Sequence, residues 1–551
     1  YAEIENFEKR EDAVIYEVHV RDLTSDPKVA TELDSQFGTF AAFKEKLDYI
    51  KSLGVTHIQL MPIMSYYFGD ETLNDKRLLD YSSANNNYNW GYDPHSYFSI
   101  SGMYSENPKD PAQRIREFKE LVAEIHSRKL GVILDVVYNH TAKVHLFEDL
   151  QPNYYHFMKL DGSAKTSFGG GRLAATHAMT RKLMLDSIAY WVDEFKVDGF
   201  RFDMMGDHDA ESIEMAYQRA REFNPNILMI GEGWRTYEGD DLYPDVKAAD
   251  QDWMQETDAV GSFSDDYRNM MKSGFGAETD PRFLTDGQVS IKRIIDNIKA
   301  QPQNFEADDP GDVVNYIESH DNMTVHDVIA LATESDPDFK EAEIQKRLRL
   351  GNLMLLTSQG IIFLHSGQEY GKTKQFRTET KTKTAPPSSF VGVNGAGRDF
   401  KYPYFIDDSY NATDAVNMFE WEKVNNSKVH KCTVDYTRGL IKLHRLTDAF
   451  RLGDLEEIEA RVTEVKSKNI AAEDLAAAYK IEALKASYYI FVNADQKRRE
   501  FKIEKDLTEA DVLVDAEQAG TEALNSPKGV EVDPSRVVLD CLTGTVIRCA
   551  E

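Results

Sequence analysis

GVILDVVYNH (131–140), TRKLMLDSIAYWVDEFK (180–196) and VDGFRFDMM (197–205) decide the fold. The first and third are apolar, β-branched runs ending in polar or charged residues, and the stretch between them repeats its apolar residues at helical spacing. This is one β-then-α-then-β unit, and the rhythm continues on both sides of it. Strands read at AVIYEVHVRDL (13–23), THIQLMPI (56–63), NILMIGEGW (226–234), AVGSFSD (259–265), VVNYIESHD (313–321) and GIIFLHSGQEY (360–370) bring the number to eight, and nearly all lead into a helical stretch. Eight such units predict an α/β fold, a closed (β/α)8 TIM barrel with long loop insertions, rather than an open doubly wound sheet. An open dinucleotide-binding sheet would place a glycine-rich phosphate turn after its first strand, and VHVRDLTSD (18–26) has none. The insertions at 64–112, 140–178, 235–258 and 371–427 all follow strands, so they extend the face on which barrel enzymes keep their chemistry.

From about residue 451 the rhythm stops. LEEIEARVTEV, LAAAYKIEALKASYYIFVNAD and REFKIEKDL read as short alternating strands with polar turns. The expected organisation is therefore a catalytic barrel over 1–450 with inserted active-site loops, followed by a C-terminal all-β sandwich domain over 451–551. TKTKTAPPSSFVGVNGAGRD (380–399), rich in Pro, Gly, Thr and Ser, reads as a long mobile loop.

Composition narrows the partners. The 551 residues carry 94 Asp and Glu against 64 Lys and Arg, a net charge of −30, which disfavours nucleic acid because duplex binding draws its affinity from cations placed on phosphates. Hydrophobic residues at 41% suffice for a packed core, and an aromatic content of 11% keeps open a role in stacking on flat neutral ligands such as sugars. No apolar run reaches the roughly 18 residues of a membrane-spanning helix. The chain opens on Tyr1 with acidic, polar residues, without an initiator Met or a signal peptide, as expected of a segment cut from something longer. Cys432, Cys541 and Cys549 cannot form a disulfide framework, although Cys541 and Cys549 are near enough in sequence to pair.

Acidic residues recur where the strands end: Asp135 on the third, Asp203 on the fourth, Glu232 on the fifth and Asp321 on the seventh. A single carboxylate in such a place is ordinarily a helix cap or a salt-bridge partner. Barrel closure, however, brings all four to one mouth, with Arg201, His140 and His320 beside them. Hydrolysis of a glycosidic bond needs such a set, one ionised carboxylate as nucleophile and one protonated carboxyl as general acid. Asp203, two residues past Arg201, is expected to stay ionised because the guanidinium favours its charged form. Glu232, between two glycines and before Trp234, is expected in a drier setting that keeps its proton. Asp321 with His320 is placed to hold two sugar hydroxyls. Other chemistries fit less well. His140, His145, Asp135 and Glu232 can be assembled on paper into a zinc or magnesium site, but no H-E-x-x-H or Cys pair accompanies them. A G-x-S-x-G elbow is missing, and the Gly169–Gly171 triplet lacks the Gly-Lys-Ser/Thr ending of a phosphate cradle.

These stretches resemble the α-amylase superfamily of glycoside hydrolases over about 13–450, whose four signature motifs appear in order as DVVYNH (135–140), GFRFDMM (199–205), GEGW (231–234) and YIESHD (316–321). The resemblance implies Asp203 as nucleophile, Glu232 as acid/base and Asp321 as transition-state stabiliser, with Arg201, His140 and His320 around the reacting glucose and Asp135 supporting the site. YNWGYDP (88–94) is similar to the hallmark of type I pullulanases, which implies that Tyr92 stacks under the reacting glucose with Asn89 and Trp90 near the substrate loop. GEGW likewise resembles α-1,6 debranching enzymes, in which Trp234 would face the leaving-group side. SGQEYGKTKQFR (366–377), PYFIDDSYNATDAVNMFEW (403–421) and FVNADQKRREF (491–501) look most like the surface pullulanases of streptococci and related Gram-positive bacteria. Asp408, Ser409 and Tyr410 stand where many members have Asn-Ser-Tyr, and GGGRLAATHAMTRK (169–182) replaces the commoner Cys-Gly-Asn-Asp type of segment.

The resemblance thus implies a retaining endo-hydrolase of α-1,6 linkages in pullulan, glycogen and branched dextrins, acting on an α-glucan at the cell surface or outside the cell, with carbohydrate-binding modules ahead of Tyr1. An enzyme that also cuts α-1,4 bonds, or a glucan-binding protein on a dead barrel, are the alternatives; the complete Asp203, Glu232 and Asp321 set speaks against the second. The chemistry needs no cofactor. A structural Ca²⁺ would look to the acid-rich loops 69–80 and 401–414, though acidic loops are usually just solvated.

Overall fold

The computed structural model describes residues 1–81, 86–376, 390–392, 404–471 and 474–550. Eight parallel strands close into a barrel: β1 (Val14–Val18), β2 (His57–Leu60), β3 (Gly131–Val136), β4 (Gly199–Phe202), β5 (Leu228–Gly231), β6 (Gly261–Phe263), β7 (Val313–Asn315) and β8 (Ile361–His365). Each pairs with the next, and β1 closes on β8 through Val14 opposite Ile362 and Glu17 opposite His365. The strands lie where the sequence reading put them, because each alternates between two environments. Val132, Leu134 and Val136 face outward with Phe200 and Phe202 into the shell of helices, whereas Ile133, Ile230, Phe263, Tyr316 and Phe363 fill the barrel interior. Following the interior positions upward, Ile133 gives way to Asp135, Gly199 to Arg201 and Asp203, Ile230 to Glu232, and Ile15 to Glu17. The filling thus changes from apolar at the bottom to charged at the mouth.

Helices Leu47–Leu53, Pro111–Ser127, Ala178–Phe195, Ala210–Arg221, Ile291–Ile298, Pro337–Leu356 and Lys428–Leu446 wrap the barrel, while β5 is followed only by a 3₁₀ segment, Gln251–Glu256. The long loops above the mouth are held by a buried cation. Arg21 binds Asp414 with Nε and Nη2 at 2.8 Å each, and donates to the carbonyls of Asn74 and Lys76, tying the 70s loop to the 404–414 segment.

Beyond the barrel, one five-stranded antiparallel sheet (Val462–Glu464, Ala476–Glu482, Ala486–Asn493, Thr543–Ala550, Asp511–Val514) faces a three-stranded one (Arg499–Lys502, Arg536–Leu539, Val530–Asp533) as a sandwich. Ala476, Ala478, Phe491, Phe501, Val537 and Ile547 fill the space between them. The alternate residues Ala477, Tyr479, Ile481, Ile490 and Val492 join the core of the barrel's helical shell, so the larger sheet is buried on both faces. One local reading is corrected. LEEIEAR, read as strand, is the helix Leu455–Arg461: Asp454 caps it by accepting from the Glu457 N–H, and Glu456 and Glu457 favour the positive end of the helix dipole. Cys541 and Cys549 are free thiols. Of the 380–399 loop, all but 390–392 lies outside the described residues.

The Tyr479 hydroxyl lies 2.5 Å from Thr357 Oγ1 at the end of helix Pro337–Leu356, with its ring fully buried. Tyr479→Ala should cost about 3–5 kcal/mol, and Tyr479→Phe, which keeps the packing, about 1 kcal/mol. Chemical denaturation of the two variants checks the ranking.

Candidate active site

Register builds the centre of the site. Asp135 on β3 lies directly opposite Arg201 on β4, and Phe202 lies opposite Gly231 on β5, which puts Glu232 one step above. Arg201 consequently reaches three carboxylates: Nη1 to Asp135 and to Asp203, each at 2.9 Å, and Nη2 to Glu232 at 2.9 Å. The β4 and β5 loops are stitched together above it. Met204 takes the left-handed conformation with φ at +42°, which aims its N–H at Glu232 Oε2 at 2.9 Å, and Gly206 N–H donates to the Glu232 carbonyl at 2.9 Å. Left-handed backbone in a Met is strained by roughly 1–3 kcal/mol, a cost found where geometry is being imposed. Position 206 has to be glycine, because a Cβ there would fall 1.7 Å from the Trp234 carbonyl oxygen.

The second wall is aromatic and carries the β7 end. Tyr92 donates to Asp135 Oδ2 at 2.7 Å and stacks on His320 with ring centroids 5.0 Å apart, while Trp90 meets the same imidazole edge-on at 5.1 Å. The main-chain N–H of Trp90 donates to the Tyr410 carbonyl, and the Tyr410 hydroxyl bonds Asp93, so the 408–410 segment braces the YNWGYDP turn. Asn89 is brought to the site differently from the expectation. Its side chain is buried and spent on the main chain, accepting from Gly91 N–H at 2.7 Å and donating to the Phe68 carbonyl at 2.5 Å, so it shapes the turn instead of facing the cleft. On the opposite side, His140 Nδ1 accepts from Asn139 Nδ2 at 2.9 Å, which leaves the proton on Nε2, a buried atom with no protein partner. Burial pushes His140 down to about 4, so it is a neutral donor. Trp234 is half-buried against the apolar filling near Phe263 and Tyr316. Phe168 was not foreseen: it tips the hairpin formed by Thr166–Ser167 and Gly170–Gly171, is 69% exposed, and stands 5.7 Å from the His140 ring. Its signal in the sequence was the aromatic just before a glycine triplet.

Five carboxylates share this mouth with the cations Arg201 and His320, and Lys374 stands behind, donating to the His320 and Asn322 carbonyls. Burial, together with Glu232 and Asp135, pushes Asp203 well above the usual carboxylate range in spite of Arg201. Asp135 is likewise raised to about 6 by burial, against the pull of Arg201. Arg201 favours the ionised form of Asp203, as the sequence suggests, but its one charge is divided among three carboxylates. Asp321, with about half of its side chain open (52%), lies 3.5 Å from His320 Nε2. Against the upward push of burial, His320 and Arg201 hold Asp321 below the usual range.

Among the described residues, Glu17, Asp135 and His320 offer donor atoms within 4.8 Å of one another, the arrangement of a three-ligand metal site. These donors are already engaged, Glu17 by His320 at 2.8 Å and Asp135 by Arg201 and Tyr92, and the positive Arg201 faces the same space. In the acid-rich loops, Asp70 caps the Thr72 N–H and Asp414 is committed to Arg21. Glu17 escaped the sequence reading, although a charged residue inside the apolar run VIYEV was its visible signal.

Comparison with known proteins places this geometry. The α-amylase catalytic-domain family matches residues 22–161, and the SpuA C-terminal family matches residues 461–550. Pullulanase A of Streptococcus pneumoniae serotype 2 is 56% identical over the whole chain, and the Bacillus subtilis pullulanase is 31% identical over 83% of it. The chain spans 45% of the length of the former and 59% of the latter. Among solved structures, the Group B Streptococcus pullulanase SAP superposes with a TM-score of 0.97 at 53% identity, covering 100% of this chain and 72% of that one. The catalytic module of the multi-modular glycogen-degrading pneumococcal virulence factor SpuA gives 0.97 at 55% identity, covering 100% of this chain and 79% of that one. No described helix is long and apolar enough to cross a membrane.

Replacing Arg201 by Leu should leave buried carboxylates unpaired and cost about 3–5 kcal/mol at pH 7.5. The sign of the pH dependence follows from Asp135: its folded pKa of about 6 exceeds the ordinary 3.8, so its charge destabilises the fold above pH 6, and the cost is relieved as pH falls through 6. Unfolding of the variant at pH 7.5 and pH 5 should therefore show a smaller deficit at the lower pH.

Proposed function

The chain belongs to the pullulanases of the α-amylase superfamily, and from that premise we propose that it is a retaining endo-hydrolase of α-1,6-glucosidic linkages in pullulan, glycogen and branched dextrins. The observation that carries the reading is the shared guanidinium of Arg201, which holds Asp203 and Glu232 side by side from its two terminal nitrogens. A nucleophile and an acid over the same sugar carbon are the two groups that a retaining glycosidase requires. Asp203 attacks the anomeric carbon while Glu232 gives its proton to the departing O6, and a covalent glycosyl-enzyme forms. Glu232, now a carboxylate, takes a proton from water, whose oxygen displaces Asp203 with the anomeric configuration retained. Asp321 and His320 hold the ring hydroxyls, His140 Nε2–H donates to a sugar oxygen, and Tyr92 lies under the reacting glucose. Asp135 neutralises part of Arg201 and orients Tyr92.

Supporting the substrate assignment, the multi-modular pneumococcal virulence factor SpuA is glycogen-degrading and the Group B Streptococcus pullulanase has been captured with maltotetraose. Trp234 and Phe168 supply the aromatic platforms on either side of the centre, the leaving-group wall and the wall beside His140. No cofactor enters these steps. A place at the cell surface and the presence of carbohydrate-binding modules are parts of the same proposal; the pneumococcal relative, of which this chain spans 45%, is long enough to hold such modules.

Digestion of pullulan should release maltotriose, and an enzyme that spares pullulan while shortening amylose would refute the linkage assignment. Asp203→Ala should lower kcat by at least about 10³-fold with little loss of glucan binding. Phe168→Ala should raise KM roughly tenfold with kcat nearly unchanged, the mark of a contact equal in ground and transition states.

A further inference from the structure

Glu17 lies on the first barrel strand, one residue before its end, and 303 positions before His320, which follows β7. β1 and β7 are not neighbours, since β8 lies between them, so the contact runs across the barrel mouth. Glu17 is 1% exposed and His320 3%. His320 donates to Glu17 twice, from its main-chain N–H to Oε2 at 2.8 Å and from Nδ1 to Oε1 at 2.8 Å. Gln59 of β2 adds a hydrogen bond to Oε1 at 3.2 Å. Both carboxylate oxygens are thus committed to one residue whose remaining nitrogen, Nε2, points to Asp321 Oδ2 at 3.5 Å.

We propose that Glu17 is a positioning residue for the glycosidic reaction: it fixes the rotamer of His320 and stabilises it as an imidazolium whose Nε2–H is directed at Asp321 and the sugar hydroxyl beside it. This rests on the hydrolase reading of the site. A buried carboxylate is tolerated only with charge and hydrogen bonds to match it, and a bidentate grip on ring and backbone leaves the imidazole a single orientation. The groups around His320 are Glu17 from β1, His19 just past it, Asp135 from β3, Arg201 from β4, His365 from β8, Asp321 beside it, Tyr92 and Trp90 from the 88–94 turn, and Lys374 behind its carbonyl. Burial alone would lower its pKa, but Asp321 and Glu17 together raise it to about 9. A neutral histidine would donate from one nitrogen only. With the charge retained, Nδ1–H serves Glu17 and Nε2–H serves Asp321 and the sugar hydroxyl beside it.

The test combines spectroscopy and kinetics. In the wild-type protein, imidazole ¹⁵N shifts of His320, assigned by difference with His320→Gln, should show both nitrogens protonated at pH 8; a neutral ring would overturn the proposal, whether or not pullulan is cleaved. Glu17→Gln keeps the shape but removes the charge. It should lower kcat on pullulan about 10²-fold with a small change in KM, and bring the His320 titration down by at least one pH unit. In the His320→Gln background the same change should have almost no further effect, because Glu17 acts through that ring. Multiplicative losses in the double variant, or a folded Glu17→Gln enzyme within twofold of wild type, would overturn it. If Glu17→Gln does not fold, the wild-type ¹⁵N shifts alone decide. Failure of wild type to cleave pullulan would instead count against the function itself.

Discussion

Everything at the barrel mouth depends on one guanidinium shared by three carboxylates. Arg201 sits in the interior with almost no exposure and bonds Asp135, Asp203 and Glu232 at 2.9 Å each. An isolated buried carboxylate costs several kcal/mol, and three on adjacent strand ends would drive the strands apart or take up protons. One arginine reduces that cost without removing it. Burial and the neighbouring carboxylates still push Asp203 above the usual carboxylate range in spite of it.

The rest of the architecture holds that cluster still. The five-stranded C-terminal sheet has no solvent face of its own to spare, since Tyr479, Ile481 and Ile490 complete the packing of the barrel's helices. Arg21 performs the corresponding task above the mouth, where long loops have few apolar contacts and a charged clamp with four oxygen partners substitutes for a core. Tyr410 braces the turn that presents Trp90 and Tyr92, so the departure at 408–410 is a structural contact of the substrate wall. A neutral polymer needs no electrostatic steering, which leaves the net charge of −30 as chiefly a solvating surface.

Much of this was legible in the chain. Apolar, β-branched runs followed by helical stretches gave the barrel, and carboxylates at successive strand ends gave the candidate site, because in a closed barrel position along a strand is position in space. Local chemistry misled in places where the competing signals were local too. LEEIEAR carries enough apolar residues to pass for a strand, but Asp454 and the glutamates after it form a helix start. Asn89 lies in a substrate-like motif yet spends its amide on the turn, since a tight turn presents main-chain groups that have to be satisfied.

The sequence by itself determined the strand count, the order of the motifs and which carboxylates meet at the barrel mouth, because these follow from periodicity and from position along the strands. Only the tertiary structure decided how charge is shared among them. Whether Arg201 serves one carboxylate or three, and whether Glu17 meets a histidine 303 residues away, are matters of through-space distance in a low-dielectric interior. Those distances are set by barrel closure and strand register, and spacing along the chain does not measure them.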